Sequence, residues 1–382
     1  MNNYSYKIRY VSESLSLLNI ISHEAPFISD FMNTSAAKYG ITPGPYESKL
    51  VEELSSIEED ARAEFAEDMD LIRSYFFGKD DYIRSYANIL LVNDGFSSAF
   101  EESDTISVKE YQAKLKDISD DNYNKYYYQM VKSFGSHTSE GDDDDKDISP
   151  ADVFDAIYES DISDSDKLKL QHFFLHRDEH FEKVFPLLTR AAKVIKKHEK
   201  KLEEFGKRAV AYTKKEVGDK DFIRFFMSMI SSDNAEASFS NDCNVYISYM
   251  ICSKISFSLK GDAIETAVPK AEVGAIFSDS LTFDSIINNK KTLNKEKALA
   301  ILKLLSDKSK LEILELTKDE AYYGAQLAEK LGLTTATISH HTSALFDQNL
   351  LNIEKVDSKI FFKENKEAIE TLIRYLEATL LK

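Results

Sequence analysis

Cysteine is nearly missing from this chain. Cys243 and Cys252 are the only two in 382 residues, which leaves no disulfide scaffold and fits a reducing cytoplasm. Glycine and proline are also scarce, at 12 and 6, too few for a turn-dense all-β fold, so long helices are expected. No run approaches the roughly 18 uncharged apolar residues that a membrane span needs. Residues 1–20 lack the basic head, apolar run and small-residue cleavage site of a secretory leader. The motifs G-x-x-x-x-G-K-[ST], G-x-G-x-x-G, G-x-S-x-G and H-E-x-x-H do not occur, so the common phosphate-binding and hydrolytic centres are not encoded. These absences lead us to expect a cytoplasmic protein that is not an enzyme, takes no cofactor and enters no membrane.

What is present is enough apolar matter for more than one core. Hydrophobic residues make up 43% and aromatics 12%, and a chain of this length is expected to divide into two or three domains. The net charge of -18 argues against nucleic acid at first sight. It is unevenly spread, however. From residue 290 to 382 there are 15 Lys and Arg against 14 Asp and Glu, whereas the first 289 residues carry 33 against 52. The C-terminal stretch is therefore the part free of strong phosphate repulsion.

Along the first 289 residues, 4–11 alternate apolar and polar side chains as a short strand, and 14–21 read as a helix. Pro43-Gly44-Pro45 breaks the chain. Leu50, Leu54, Ile57 and Ala61 then recur at helical spacing, with a second helix expected near Asp80. Residues 108–134 read as one helix dense in tyrosine: Tyr111, Tyr123, Tyr126, Tyr127 and Tyr128. That spacing suits a buried face with hydroxyls at its rim, and ligand stacking is the alternative. Residues 135–150, with the run Asp142 to Asp145, form an acidic connector without the alternating ligands and distal Glu of an EF-hand.

Helices resume from 150 to 231, including a long charged one over 182–216. Between 242 and 277 the rhythm turns to β, with Val245, Ile247, Tyr249 and Ile251, then Ile255, Phe257 and Leu259, a Lys260-Gly261-Asp262 turn and residues 263–268. A small antiparallel sheet is expected, joined by the strand at 4–11, so that residues 1–289 make one α+β unit.

His172, His176 and His180 recur every four residues. Two of them could chelate a transition metal. On a continuous helix the outer pair would be about 12 Å apart, so all three could not share one ion. Arg177 opposes a cation, and Phe173, Phe174 and Phe181 suggest ordinary half-buried packing. Cys243 and Cys252, placed on successive strands, read as small core residues rather than a redox pair.

The last 90 or so residues are the most specific. A helix over 292–305 presents Ala298, Ile301, Leu302 and Leu305, and a second over 308–316 carries Leu311, Ile313 and Leu314. A third, over 324–331, ends at Gly332, and Thr334 can cap a fourth over 335–348. Helix, glycine, short turn and helix is the pattern of a helix-turn-helix. Leu351, Ile353, Val356 and Ile360 alternate around Asp357-Ser358 as a wing hairpin, and Ile369, Leu372, Ile373, Leu376 and Leu380 form one stripe on a closing helix.

From about Asn294 the chain resembles ArsR-type winged-helix regulators. The run Leu304-Leu305-Ser306-Asp307-Lys308-Ser309-Lys310-Leu311-Glu312-Ile313-Leu314 resembles the family's L-x-D-x-x-R-L-x-I-L opening, and Ser339-His340-His341 its recognition helix. The resemblance implies a dimeric repressor on an inverted-repeat operator in double-stranded DNA, dimerised through its first and last helices, here Ile301, Leu302, Leu305, Ile369, Leu372, Leu376 and Leu380. Thr335, Thr337, Ser339, His340 and His341 are the candidate DNA contacts on the recognition helix, with Lys355 and Lys359 on the wing. Lys310 replaces the usual Arg, and Thr342-Ser343 the usual Leu-Lys. Where metal-sensing members carry Cys-x-Cys this chain has Ala321-Tyr322-Tyr323-Gly324, and its last helix has no His, Cys or Asp, so no metal is expected at the family's sites.

The expected architecture is thus α+β and mostly helical. A regulatory or dimer-shaping unit over 1–289 answers an unknown non-metal effector or protein partner, and a DNA-binding domain spans 290–382. A DNA-tethered interaction protein and an enzyme fused to a DNA module are the competing readings; retention of a small molecule from a metabolite extract separates them.

Overall fold

The computed structural model describes residues 2–28, 44–77, 85–93, 106–133, 147–160, 162–230, 243–253, 255–258, 270–279, 281–283, 293, 295–356 and 359–381. The expected helix start near Asp80, the acidic run at 142–145, the Lys260-Gly261-Asp262 turn, residues 263–268, the wing turn Asp357-Ser358 and the boundary at 289/290 lie outside them.

The first helix, α1 (Tyr10–Ser22), is buried on nearly all sides, its polar Ser12, Glu13, Ser14, Asn19 and Ser22 included. Val11, Leu15, Leu17, Leu18, Ile20 and Ile21 are all buried. Around it pack α2 (Pro45–Glu64), α3 (Met69–Phe76), α5 (Val108–Asp117) and α9 (Arg177–Lys197). Leu50, Leu54, Ile57 and Ala61 form the buried face of α2, which Pro45 opens at its first position. The intervening α4 (Tyr86–Leu90), α6 (Asp120–Ser133), α7 (Pro150–Glu159) and α8 (Asp164–Leu175) complete the layer, followed by α10 (Glu199–Val217) and α11 (Phe222–Ile230).

Several expected elements divide. The strand expected over 4–11 is only β1 (Asn3–Ser5), because Tyr10 and Val11 already belong to α1. The helix expected over 108–134 breaks at Ile118, which is extended (φ -63°, ψ 137°). All five tyrosines on α5 and α6 are buried, and the hydroxyls of Tyr111, Tyr123 and Tyr127 donate to the carbonyls of Leu91, Leu90 and Leu170. All five are core residues, and those three have satisfied hydroxyls. The long charged helix divides at His198. The histidine series is broken too: His176 leaves helical geometry (φ -118°, ψ 35°) between α8 and α9. The bend brings His172 Nδ1 to 2.9 Å from His180 Nε2, so the separation expected on a continuous helix does not hold.

The sheet is mixed rather than antiparallel. With β2 (Asn244–Ser248), β3 (Ile255–Ser258) and β4 (Lys270–Gly274), its order is β1-β2-β4-β3. The β1–β2 and β2–β4 pairs are parallel, and only β3–β4 is antiparallel. β4 inserts beside β2 and is buried at every residue, as a parallel strand covered on both faces is. Of its two charged residues, Glu272 pairs with buried Arg9, and Lys270 is buried as well. Glu13 ties α1 to the end of β2 by accepting from the backbone N–H groups of Tyr249 (2.9 Å) and Met250 (2.8 Å). Cys243 and Cys252 flank β2 as free, buried thiols instead of sitting on strands.

A second, separate core lies in the C-terminal residues, around Ala298, Ile313, Leu327, Ile338, Leu345, Leu351, Phe362 and Leu372. Among the described residues no helix is long and apolar enough to cross a membrane.

Gly274 shows how tightly the sheet is closed: a Cβ there would sit 1.8 Å from the carbonyl oxygen of Cys252, a backbone atom that cannot swing aside. Gly274→Ala should therefore destabilise the N-terminal unit by about 1–3 kcal/mol or more, read as a lower urea midpoint of the full chain.

Candidate nucleic-acid interface

The C-terminal elements run α12 (Lys295–Leu305), α13 (Lys308–Thr317), β5 (Tyr322–Tyr323), α14 (Gly324–Leu331), α15 (Thr335–Asp347), β6 (Leu351–Val356), β7 (Lys359–Glu364) and α16 (Lys366–Leu380). The order of the small antiparallel sheet is β5-β7-β6. Asp307 starts α13 by accepting from the Lys310 N–H at 3.1 Å, and the Lys310 ammonium returns to the same carboxylate at 3.0 Å. Those two bonds hold the Asp307 carboxyl below the usual carboxylate range.

The turn between α14 and α15 aims the recognition helix. Gly332 is left-handed (φ 65°, ψ 30°) and returns its N–H to the Ala328 carbonyl, the αL cap that glycine adopts without strain. Thr334 then caps α15, its Oγ1 accepting from the Thr337 N–H at 3.1 Å. On α15, Ile338, Ser339, Thr342 and Leu345 are buried. The opposite face offers the exposed His340 and the half-exposed Thr337, with Thr335 open in the first turn.

The candidate contacts therefore separate. Thr335, Thr337 and His340 stand on the open side, although Thr337 Oγ1 already lies 2.8 Å from Thr334 Oγ1. Ser339 is only 3% exposed, away from the open side; one residue on from Ile338, it falls on the same 3.6-residue arc as Thr342. His341 is half-buried and turns toward α13. Its Nδ1 is buried without a hydrogen-bond partner. Burial, with the Lys310 charge second, holds its imidazole below the ordinary range, while Asp307 pulls the other way.

Lys355 and Lys359 lie on the wing strands, paired with Ile360 and Val356, but their side chains lie outside the described ones. Two polar groups were missed. Ser343, three residues after His340, is half-exposed, and Lys363 stands exposed on β7; continuing the 3.6-residue period from His340 and the 2-residue period from Lys359 finds both.

The expected dimer seam divides as well. Ile301 and Leu372 are buried within the module's own core, at 5% and 3% exposed. Leu305, Ile369 and Leu376 are half-buried. Leu302 and Leu380 are exposed, and Leu299, Ile373 and Leu381 join them as open apolar side chains.

No family model matches the chain. Over 76 residues it is 34% identical to the arsenical resistance operon repressor of Staphylococcus aureus, covering 20% of this chain and 73% of that protein. Over 77 residues it is 34% identical to the repressor of the same description from Staphylococcus xylosus, covering 20% and 74%. Over that part, the chain belongs to the ArsR-type regulators. A solved structure of reduced HlyU from Vibrio cholerae is 23% identical and covers 23% of this chain and 94% of that one, with a TM-score of 0.19, too low to carry an argument. The remaining four-fifths of the chain have no counterpart in these relatives.

Where the chain departs from the ArsR pattern, its substitutes fit. Lys310, in place of Arg, bonds Asp307. Thr342 in place of Leu is buried, and its hydroxyl donates back to the Ile338 carbonyl at 2.9 Å. Tyr322 and Tyr323, in place of a Cys-x-Cys, form the short strand β5.

The environment of His341 should make the module acid-sensitive. Its folded-state pKa is depressed below an unfolded value of about 6.5, so the unfolded chain takes up the proton first and stability present above that pH is lost as pH falls through it. His23 and His180 shift the same way, so the test is a difference: urea midpoints at pH 7.5 and 5.5 should fall less in His341→Gln than in the parent chain. Thr334→Ala should cost about 0.5–2 kcal/mol through loss of the cap, read as a drop in thermal midpoint.

Proposed function

We propose that the protein is a homodimeric transcriptional repressor of the ArsR type, without catalytic activity, which binds an operator in double-stranded DNA through α15 and the wing. Residues 1–289 set the geometry of the dimer and receive the signal. The observation that carries this reading is the capped, glycine-terminated turn that presents Thr335, Thr337 and His340 on the open face of α15. Small hydroxyls and an imidazole near a helix N-terminus can reach base edges and phosphates without filling the major groove. The names of the curated relatives, operon repressors, support the direction of control. With 15 cations against 14 acids, the module gains little from non-specific phosphate attraction, so sequence-reading contacts must carry the affinity.

The exposed apolar side chains of α12 and α16 support dimerisation. Leu302 is 39% and Leu380 74% exposed, and burial against a second copy stabilises by about 1.5–3 kcal/mol per side chain. Leu302→Glu with Leu380→Glu should shift sedimentation from dimer toward monomer. An unchanged dimer would place the interface in residues 1–289.

Thr335→Ala with His340→Ala leaves Ile338 and Leu345 in the core and keeps good helix formers on the surface. Each lost base-edge contact costs about 1–3 kcal/mol, so fluorescence anisotropy should show specific affinity falling roughly 10- to 10⁴-fold for the pair, and non-specific affinity much less. Native operator affinity in a double variant with unchanged circular dichroism would remove α15 from the reading role.

A further inference from the structure

The DNA-binding reading leaves the histidines at the α8–α9 junction unused, and their arrangement is not that of ordinary packing. His172 and His176 are exposed, while His180 is 5% exposed. The His176 N–H donates to the His172 carbonyl at 3.0 Å, so the two sit one turn apart, and their ring centroids are 4.5 Å apart. Behind them runs an inward chain: His172 Nδ1 lies 2.9 Å from His180 Nε2, and His180 Nδ1 lies 2.6 Å from the Tyr75 hydroxyl. The first of these contacts leaves His172 Nε2 as the free ring nitrogen. Glu179 Oε1 stands 3.7 Å from His176 Nδ1.

We propose that this junction binds a divalent transition ion of the Zn²⁺, Ni²⁺ or Cu²⁺ class through His172 Nε2 and His176 Nε2, with His180 and Tyr75 as positioning residues. Imidazole pairs suit these borderline ions and not Mg²⁺ or Ca²⁺. Among the described residues no three His, Cys, Asp or Glu side chains converge on one point, so water completes the coordination. With an ion on Nε2, His172 carries its proton on Nδ1 and donates to His180 Nε2. His180 Nδ1–H then donates to the Tyr75 oxygen, so each buried nitrogen is satisfied in one direction; this is the outer support that metal-bound imidazoles characteristically have.

Lys183 acts on His180 from its own helix, but two other nearby cations are turned elsewhere. Arg177 pairs with Asp120 at 2.7 Å and lies over the Tyr123 ring. Lys169 reaches the Ser74 carbonyl and lies 4.0 Å from the Tyr86 ring centroid. The excess of 52 acids over 33 bases in the first 289 residues favours a cation. The buried thiols of Cys243 and Cys252 are not accessible competitors. The site is independent of α15, and its failure would leave the DNA-binding reading untouched.

The test uses the untagged full chain and metal salts alone. Equilibrium dialysis against zinc chloride should retain one equivalent per chain, weakened at least 10-fold in both His172→Ala and His176→Ala. Tyr75→Phe should keep the site but weaken it by roughly 10-fold, the usual cost of losing an outer partner. With Cu²⁺ on the parent chain, electron paramagnetic resonance should show coupling to two imidazole nitrogens, a readout that needs no variant. Absence of stoichiometric binding, absence of that coupling, or parent-like affinity in the His172→Ala/His176→Ala double variant would each overturn the proposal.

Discussion

The DNA-binding geometry depends on three residues between α14 and α15. Gly332 reverses the chain in a conformation that costs a side-chain-bearing residue about 1–2 kcal/mol, and Thr334 restarts it by binding the Thr337 N–H. Between them they fix the direction of α15. Ile338, Thr342 and Leu345 then anchor one face in the module's core, which leaves Thr335, Thr337 and His340 outward. The half-buried His341 on the same helix lies near the Asp307–Lys310 pair at the head of α13.

Charge distribution sets how such a module can work. The first 289 residues are strongly acidic, and the remainder is almost neutral. DNA-binding proteins that rely on lysine and arginine release many counterions and bind any sequence well. In the C-terminal stretch of this chain 14 acids offset 15 such cations. On the proposed reading, its affinity comes from short-range contacts of small polar side chains and from a second copy, which favours discrimination over grip.

Much of the C-terminal module was legible in the sequence, because its signals are local. Gly332, Thr334 and the alternation around Ile353 and Ile360 each act within a few residues of themselves. The buried side of α15 was less legible: Ser339 and His341 are polar, yet the 3.6-residue period places one in the core and the other against α13. The same holds for Ile301 and Leu372, whose apolar character does not say whether a partner copy or their own module covers them. In the N-terminal unit the apolar faces of α1 and α2 were readable, but not the sheet direction, since β1 and β2 are parallel partners some 240 residues apart in sequence. The break at His176 was equally hidden. No glycine or proline marks it, and it alone brings His172 to His180.

The most direct test of the central claim is selection of DNA by the full chain from a pool of randomised duplexes at physiological salt. A dimer reading through α15 should enrich an inverted repeat whose half-site centres lie about 10–10.5 base pairs apart, or a multiple of that. Recovery of an unenriched pool, or of a single asymmetric site bound by one chain, would contradict it.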